Sequence, residues 1–472
     1  MSERETIAAT AALRNNELRT VMDSDDRLRP DFVAKVLDAV EAGDNDTARA
    51  LVEPLHPADV ADLIELAAAD EREGLVAALA GIVDADVYAE LNEHVRETLI
   101  DEMDARQVAD LAGQLDTDDA VAIIEDLDRD EQQAVLSAMA PDDRAAVEEA
   151  LTYAEETAGR LMQRDLIAVP EHWTVGKVID YLRSSDELAD DFWEVFVVSP
   201  DHHPVGTCKL STILRSSREI RVDAIMLRDQ SLIPVELDQE EVALRFQKYA
   251  LISAAVVDPS GRLVGMITVD DIVHIIQEEA GEDVLLLSGA GDGDINEPIG
   301  MTVRTRLTWL LINLGTAVIA ASVVGLFQAE IGRFALLAVL MPIVSGMGGN
   351  AGTQTLAVVV RALATNQLTS SNSLRMIGRE FRIALANGAS LGLLIGFGTA
   401  VVFGNPMLGV VIGSAMVINN LIAGLAGILV PVALDRADID PAVSSAVFVT
   451  MATDVMGFFS FLGLAALAGL SG

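Results

Sequence analysis

The chain has 472 residues, enough for several domains, and its 73 acidic against 32 basic side chains give a formal net charge of −41. A surface this negative repels phosphate backbones and excludes nucleic-acid binding, while the single cysteine, Cys208, excludes an internal disulfide and reads as a small buried residue. The charge is uneven: residues 1–300 carry 67 acids and 24 bases and residues 301–472 carry 6 and 8, so an acidic soluble part precedes a nearly neutral, apolar one.

The opening stretch, MSERETIAATAALRNNELRT, lacks the apolar core of a secretory signal, so the acidic part is expected to stay in the cytoplasm. Only 4 of the bases are lysines (Lys35, Lys177, Lys209 and Lys248), which with the acid excess suggests a salt-rich cytoplasm. There charges are screened within about 3 Å at 1 M. Short units then repeat through residues 51–151. Met103, Leu115, Leu127, Met139 and Leu151 fall 12 apart, and the first four precede acidic residues and a helical apolar pattern, as in LDTDDAVAIIEDL. Asp or Thr at the start of each unit can cap a helix, and acids in the first turn suit its dipole. So short a unit cannot bury a face alone, which predicts stacked helices.

A second repeat follows at an offset of 64: Met162, Arg164, Asp165, Pro170 and Val178 recur as Met226, Arg228, Asp229, Pro234 and Val242. Each copy continues through an amphipathic helix into two strands. FVVSPDHHPVG and AVVDPSGRLVG align Val197, Val198, Pro200 and Gly206 with Val256, Val257, Pro259 and Gly265 at an offset of 59. This α/β pattern resembles a tandem CBS pair. GMITVDDI in the second copy is similar to a G-x-x-T-x-x-D element, and that resemblance implies an adenine nucleotide on Thr268 and Asp271. The first copy departs from it with Lys209 and Thr212. Thr268 and Asp271 capping the following helix is the competing reading.

After an acidic, Gly/Asp-rich connector at 281–300, charge-free runs cover 307–329, 334–360 and 383–434, the last interrupted by GNP at 404–406, and a fifth run from Ala442 to Leu470 holds one charge, Asp454. At about 20 apolar residues per crossing, five spans are predicted. Arg304, Arg306, Arg361, Arg375, Arg379, Arg382 and Arg436 lie on one side and Arg333 on the other. The positive-inside rule therefore places the acidic part in the cytoplasm and Gly472 outside. MPIVSGMGGNAGTQT clusters a proline and glycines with Asn350, Thr353 and Gln354 inside an apolar span, which predicts a broken, pore-lining helix. Asp454 is the sharpest feature. A charge in mid-span costs on the order of 3 kcal/mol, no Lys or Arg in a span can pair with it, and it is expected to face a cation path. Asn419 and Asn420 either line that path or bond helix to helix.

Taken in order, the acidic helical repeat, CBS pair, connector and five spans resemble the MgtE-type magnesium transporter family from about residue 30 onward. PIVSGMGGNAGTQ is similar to that family's P-x-x-x-x-x-G-G-N-x-G-x-Q signature, and Asp454 falls on its pore aspartate. The resemblance implies a multidomain chain: an extension (1–30), an all-α acidic superhelix or transporter N domain (31–157), CBS modules (158–222 and 223–280), a connecting or plug helix (281–302) and a polytopic α-helical pore domain with five transmembrane helices (303–472). It further implies a homodimer in the cell membrane, importing Mg²⁺ and shut by cytosolic Mg²⁺ held between the acidic domains. Mg²⁺ keeps several waters, so Asn350, Gln354 and Asn420 are candidates for an outer layer around Asp454. Glu240, Glu241, Glu282 and Asp283 are sensor candidates by position near the CBS helix and connector.

Other readings stay open: a carrier of Mn²⁺, Co²⁺ or Ni²⁺, or a nucleotide-sensing CBS protein with a membrane anchor. An intramembrane metalloprotease would need histidines in its spans, yet His56, His94, His172, His202, His203 and His274 all precede them, so the chain is not expected to be an enzyme.

Overall fold

The computed structural model describes residues 21–469 except 26, 185–187, 189–191, 229–230, 290–294, 369–370, 438 and 444, and leaves out the side chain of Asp283. Most of the extension, Asp229 of the second repeat and part of the connector lie outside the described residues, as does Gly472. The chain divides into two units, one ending at Ile275 and the other starting at Ile276.

Among the described residues, Pro30 to Ala150 of the first unit form ten short helices: α1 (Pro30–Glu41), α2 (Asn45–Val52), α3 (Pro57–Leu66), α4 (Ala69–Ala78), α5 (Ala85–Glu90), α6 (Glu93–Ile100), α7 (Ala105–Ala112), α8 (Thr117–Glu125), α9 (Arg129–Ala138) and α10 (Pro141–Ala150). Side chains of Asp44, Asp84, Asn92 and Asp104 cap four of them. The residues that repeat every 12 positions sit in the turns: Met103, Leu115 and Leu127 precede α7, α8 and α9, and their side chains pack on one continuous core running from Leu28 to Ala150. Alternate helices touch, α7 on α9 and α8 on α10, so each covers a face its neighbour leaves open.

Two three-stranded sheets follow, with β1 (Ala168–Pro170), α11 (Val175–Ser184), β2 (Glu194–Val198), β3 (Pro204–Lys209) and α12 (Leu210–Arg215) in the first. The second has β4 (Leu232–Pro234), α13 (Gln239–Tyr249), β5 (Ser253–Val257), β6 (Leu263–Thr268) and α14 (Val269–Ser288). Both sheets have the same order and register, parallel then antiparallel, with matching irregularities at Val197/Val198 and Val256/Val257. The repeat is exchanged in space. Gln163 bridges to Met266 of the second sheet and Leu227 to Thr207 of the first, so each repeated Met leader packs over the other copy. The glycines of the two strands make room: a Cβ on Gly265 would lie 2.7 Å from Met162 Sδ, and one on Gly206 would lie 2.9 Å from Met226 Sδ. Cys208 is buried in β3, and burial pushes its thiol up to about 11.

In the second unit, α15 (Ile299–Leu326), α17 (Leu336–Ala364), α18 (Ser373–Phe403), α19 (Pro406–Asp435) and α20 (Ser445–Leu467) are long and apolar enough to cross a membrane, with a short α16 (Gln328–Arg333) after the first. The GNP interruption works as the sequence suggests. Gly404 ends α18 in the left-handed region at φ 62°, Asn405 caps α19 by accepting from the Leu408 amide, and Pro406 starts it. Helix α19 is the most buried of the five and packs on α17, α18 and α20. Its contact with α18 is backbone to backbone: a Cβ on Gly392 would lie 2.6 Å from Gly413 O, and one on Gly396 would lie 2.7 Å from Gly409 O. The expected break in the second span is absent. Helix α17 is continuous through Pro342 and the glycines, because Gly348 and Gly352 are used for close packing on the neighbouring helices.

Candidate cation sites

The pore candidate is built on α17, α19 and α20. Asp454 is half-buried on α20, and Ser345 of α17 donates a hydrogen bond of 2.5 Å to its Oδ1. Asn419, fully buried, fills the slot left by Gly348 on α17 and Gly457 on α20; a Cβ on Gly348 would collide with its amide. Its Nδ2 donates to Val344 O at 2.8 Å, and its Oδ1 is buried without a partner. Asn419 thus ties helix to helix one turn from Asp454. The other candidates are not gathered there. Asn420 is buried against Gly388 of α18 and donates to Met416 O of its own helix at 2.9 Å. Asn350 and Gln354 are exposed on the opposite side of α17 from Gly348 and Gly352.

The second candidate lies in the first unit and was not singled out as a cation site from sequence. The N-terminus of α8 brings Asp116, Asp118 and Asp119 toward Asp270 and Asp271 in the first turn of α14. Asp116 occupies the N-cap position of α8, yet its carboxylate makes no capping bond. Asp118 Oδ1 is buried with no hydrogen-bond partner, and burial followed by repulsion from Asp271, Asp119 and Asp116 holds this carboxyl well above the usual range. Burial, with Asp116 adding and Arg96 opposing, pushes Asp119 up to about 6. Burial also pushes Asp271 up to about 6, against the hydrogen bond from Thr268 Oγ1 at 2.8 Å. Among the described residues no group of three or more His, Cys, Asp or Glu is placed to hold a metal ion directly. An orphaned buried carboxylate oxygen that feels the charge of a second carboxylate is compatible with a hydrated Mg²⁺, which takes one or two carboxylates and keeps its waters between.

The sensor candidates chosen by position lie elsewhere. Glu241 is exposed and pairs with Arg245 on its own helix at 3.1 Å, Glu240 is half-buried in the first turn of α13, and Glu282 is exposed in the second unit. Asp283 lies outside the described side chains. Thr268 and Asp271, read as nucleotide ligands, are bonded to each other, and Gln163 Nε2 donates to the same Asp271 oxygen at 3.3 Å. An open cleft of about 510 Å³ instead lies between the sheets, lined by Trp193, Lys209 and Tyr249 among others.

The carboxyls raised to about 6 bind protons more tightly folded than unfolded, so their ionisation opposes folding. Stability is lost as pH rises through about 6 and regained as it falls toward the ordinary carboxylate range. In chelator, the first melting transition of the purified chain is expected to move up from about pH 7.5 to about pH 5.5. The shift should shrink in Asp118→Asn, and a transition that moves down over this interval refutes the assignment.

Comparison with known proteins gives three family matches: a divalent cation transporter domain named MgtE at residues 341–464, an MgtE intracellular N domain at 55–156, and a CBS domain at 222–278. The magnesium transporter MgtE of Bacillus subtilis is 31% identical over 316 residues, 67% of this chain and 70% of that protein. The magnesium transporter MgtE of Thermus thermophilus is 32% identical over 319 residues, again 67% and 70%. Among solved structures, the cytosolic domain of the Mg²⁺ channel MgtE in complex with ATP is 27% identical, with a TM-score of 0.48, covering 52% of this chain and 99% of that one.

Proposed function

The chain belongs to the MgtE family of magnesium transporters, and on that premise we propose that it is a homodimeric Mg²⁺ channel, closed by Mg²⁺ bound between α8 and α14. The observation that carries the gating half is the buried, unpartnered Oδ1 of Asp118 opposed by Asp271. When Mg²⁺ is scarce the acids at these two helix ends repel and the helical domain is released; when it is abundant the ion replaces repulsion with attraction and holds the two together. Helix α14 is one continuous element from Val269 to Ser288, so a clamp on its first turn acts on the segment that leads toward the first span.

For the pore, a two-fold axis would place two copies of Asp454 across one path, where a dication satisfies both. The ion would keep most of its octahedral water, and the Ser345 hydroxyl would fix the Asp454 rotamer. The arginine distribution supports a cytoplasmic acidic part and an external C-terminus. The test is Mg²⁺ flux into proteoliposomes at low and high Mg²⁺ on the face bearing the acidic part: the reading requires flux at low Mg²⁺ and its suppression at high Mg²⁺, and fails if no ion passes. Running the same assay with Mn²⁺, Co²⁺ and Ni²⁺ separates a Mg²⁺ channel from a general divalent carrier.

For an adenine nucleotide, the cleft lined by Trp193, Lys209 and Tyr249 offers exposed aromatic faces and a cation, whereas Thr268 and Asp271 are already engaged. Titrating ATP against the chain is expected to show binding that Lys209→Ala weakens and Thr268→Ala leaves in place; the opposite pattern returns the nucleotide to Thr268.

A further inference from the structure

At the arginine-rich end of the second and third spans there is a cavity of about 670 Å³. Arg361, from the last turn of α17, lines it together with Arg375 and Arg379 from the first turns of α18. Arg375 and Arg379 are four apart and share one helix face. Among the described residues Arg379 approaches Glu380 at 3.6 Å, while Arg361 and Arg375 have no acidic partner. Cations in the first turns of α18 also stand at the positive end of its dipole, an arrangement unfavourable by itself and relieved by a bound anion.

The rest of the wall is mostly apolar, with two amides, Gln367 and Asn372, of which Asn372 Nδ2 already donates to Gln367 O at 2.7 Å. Ala357 and Val358 lie about one turn deeper in the spanning helix than Arg361, and Met376 follows Arg375 on the other side. A free phosphate would use the guanidinium groups and leave these residues idle, whereas a phospholipid uses both, with the phosphate on the arginines and glycerol or acyl carbons on the apolar wall. We propose that this cavity binds the phosphate headgroup of an anionic membrane lipid. The three arginines are then a built lipid site as well as topological markers, and no step of ion transport is needed to observe it.

The experiment is native mass spectrometry of the full chain released from micelles containing phosphatidylglycerol and phosphatidylcholine in equal amounts. Wild type is expected to retain phosphatidylglycerol preferentially, and Arg361→Gln with Arg375→Gln to reduce that preference roughly 25-fold, about fivefold for each guanidinium removed from an anionic headgroup. Val358→Trp, which fills the apolar wall and leaves every arginine, is expected to lose retention too, and decides the matter if the arginine variant fails to fold. Equal retention of the two lipids by wild type overturns the proposal, as does undiminished preference in either variant. Displacement of the lipid by inorganic phosphate at matched concentration also overturns it, since the site would then take free anions.

Discussion

Asp454→Ala is expected to reduce Mg²⁺ flux to the background of empty proteoliposomes, with the variant still eluting and melting like wild type. Asp454 is the single ionisable side chain in the described part of α20, and a mid-span carboxylate costs on the order of 3 kcal/mol unless a cation compensates it. Losing that compensation from the ion's side means a drop of about two orders of magnitude in occupancy of the path. Asp454→Asn separates charge from packing. It keeps an acceptor for Ser345, so a structural role would be preserved while a cation site is lost. Wild-type flux in Asp454→Asn would remove the carboxylate from the pore, whatever Asp454→Ala did.

The second large effect is expected at the opposite end of the mechanism. Asp118→Asn combined with Asp271→Asn should leave a channel that conducts at low Mg²⁺ as wild type does and no longer closes when Mg²⁺ is raised on the side of the acidic part. Two charge-assisted contacts are lost, so the inhibitory concentration should rise roughly tenfold or more. Removing the repulsion should also raise the melting temperature in chelator, because both carboxyls are held above their ordinary range by burial. The two readouts act together: easier folding without metal and lost closure with it is what a metal-bridged acid pair predicts. Retained closure at unchanged Mg²⁺ would show that the ion acts elsewhere, and Glu240 and Glu282 would become the residues to substitute next.

Features set by local chemistry were legible from the residues. A period of twelve gave the short helices, the repeat at offsets of 64 and 59 gave the two matching α/β copies, run length gave the five spans, and Gly404-Asn405-Pro406 gave the turn between two of them. Asp454 was legible for the same reason, since one charge in a lipid-facing stretch is anomalous whatever surrounds it. The sensor was not. In a part of the chain with 67 acids, Asp118 looks like every other residue at the start of a repeat unit, and what distinguishes it is a buried, unpartnered oxygen repelled by the charge of Asp271, more than 150 positions away. The G-x-x-T-x-x-D element marked Asp271 for a nucleotide, and only the exchanged packing of the two Met leaders brings Gln163 onto it.

The second span shows the same division from the other side. Composition marked its glycines and amides as special but could not say which were spacers, since a glycine reads alike whether it faces a helix or a void. Gly348 is empty because Asn419 fills its place, while nothing lies near Gly346 and Gly349. The sequence by itself determined the short-helix repeat, the five membrane-length helices and the isolated carboxylate of Asp454, because hydropathy and charge act within a few turns of the chain. The tertiary structure decided which carboxylates meet, which glycines are filled and which arginines share a cavity, because desolvation and repulsion depend on neighbours that chain distance does not specify.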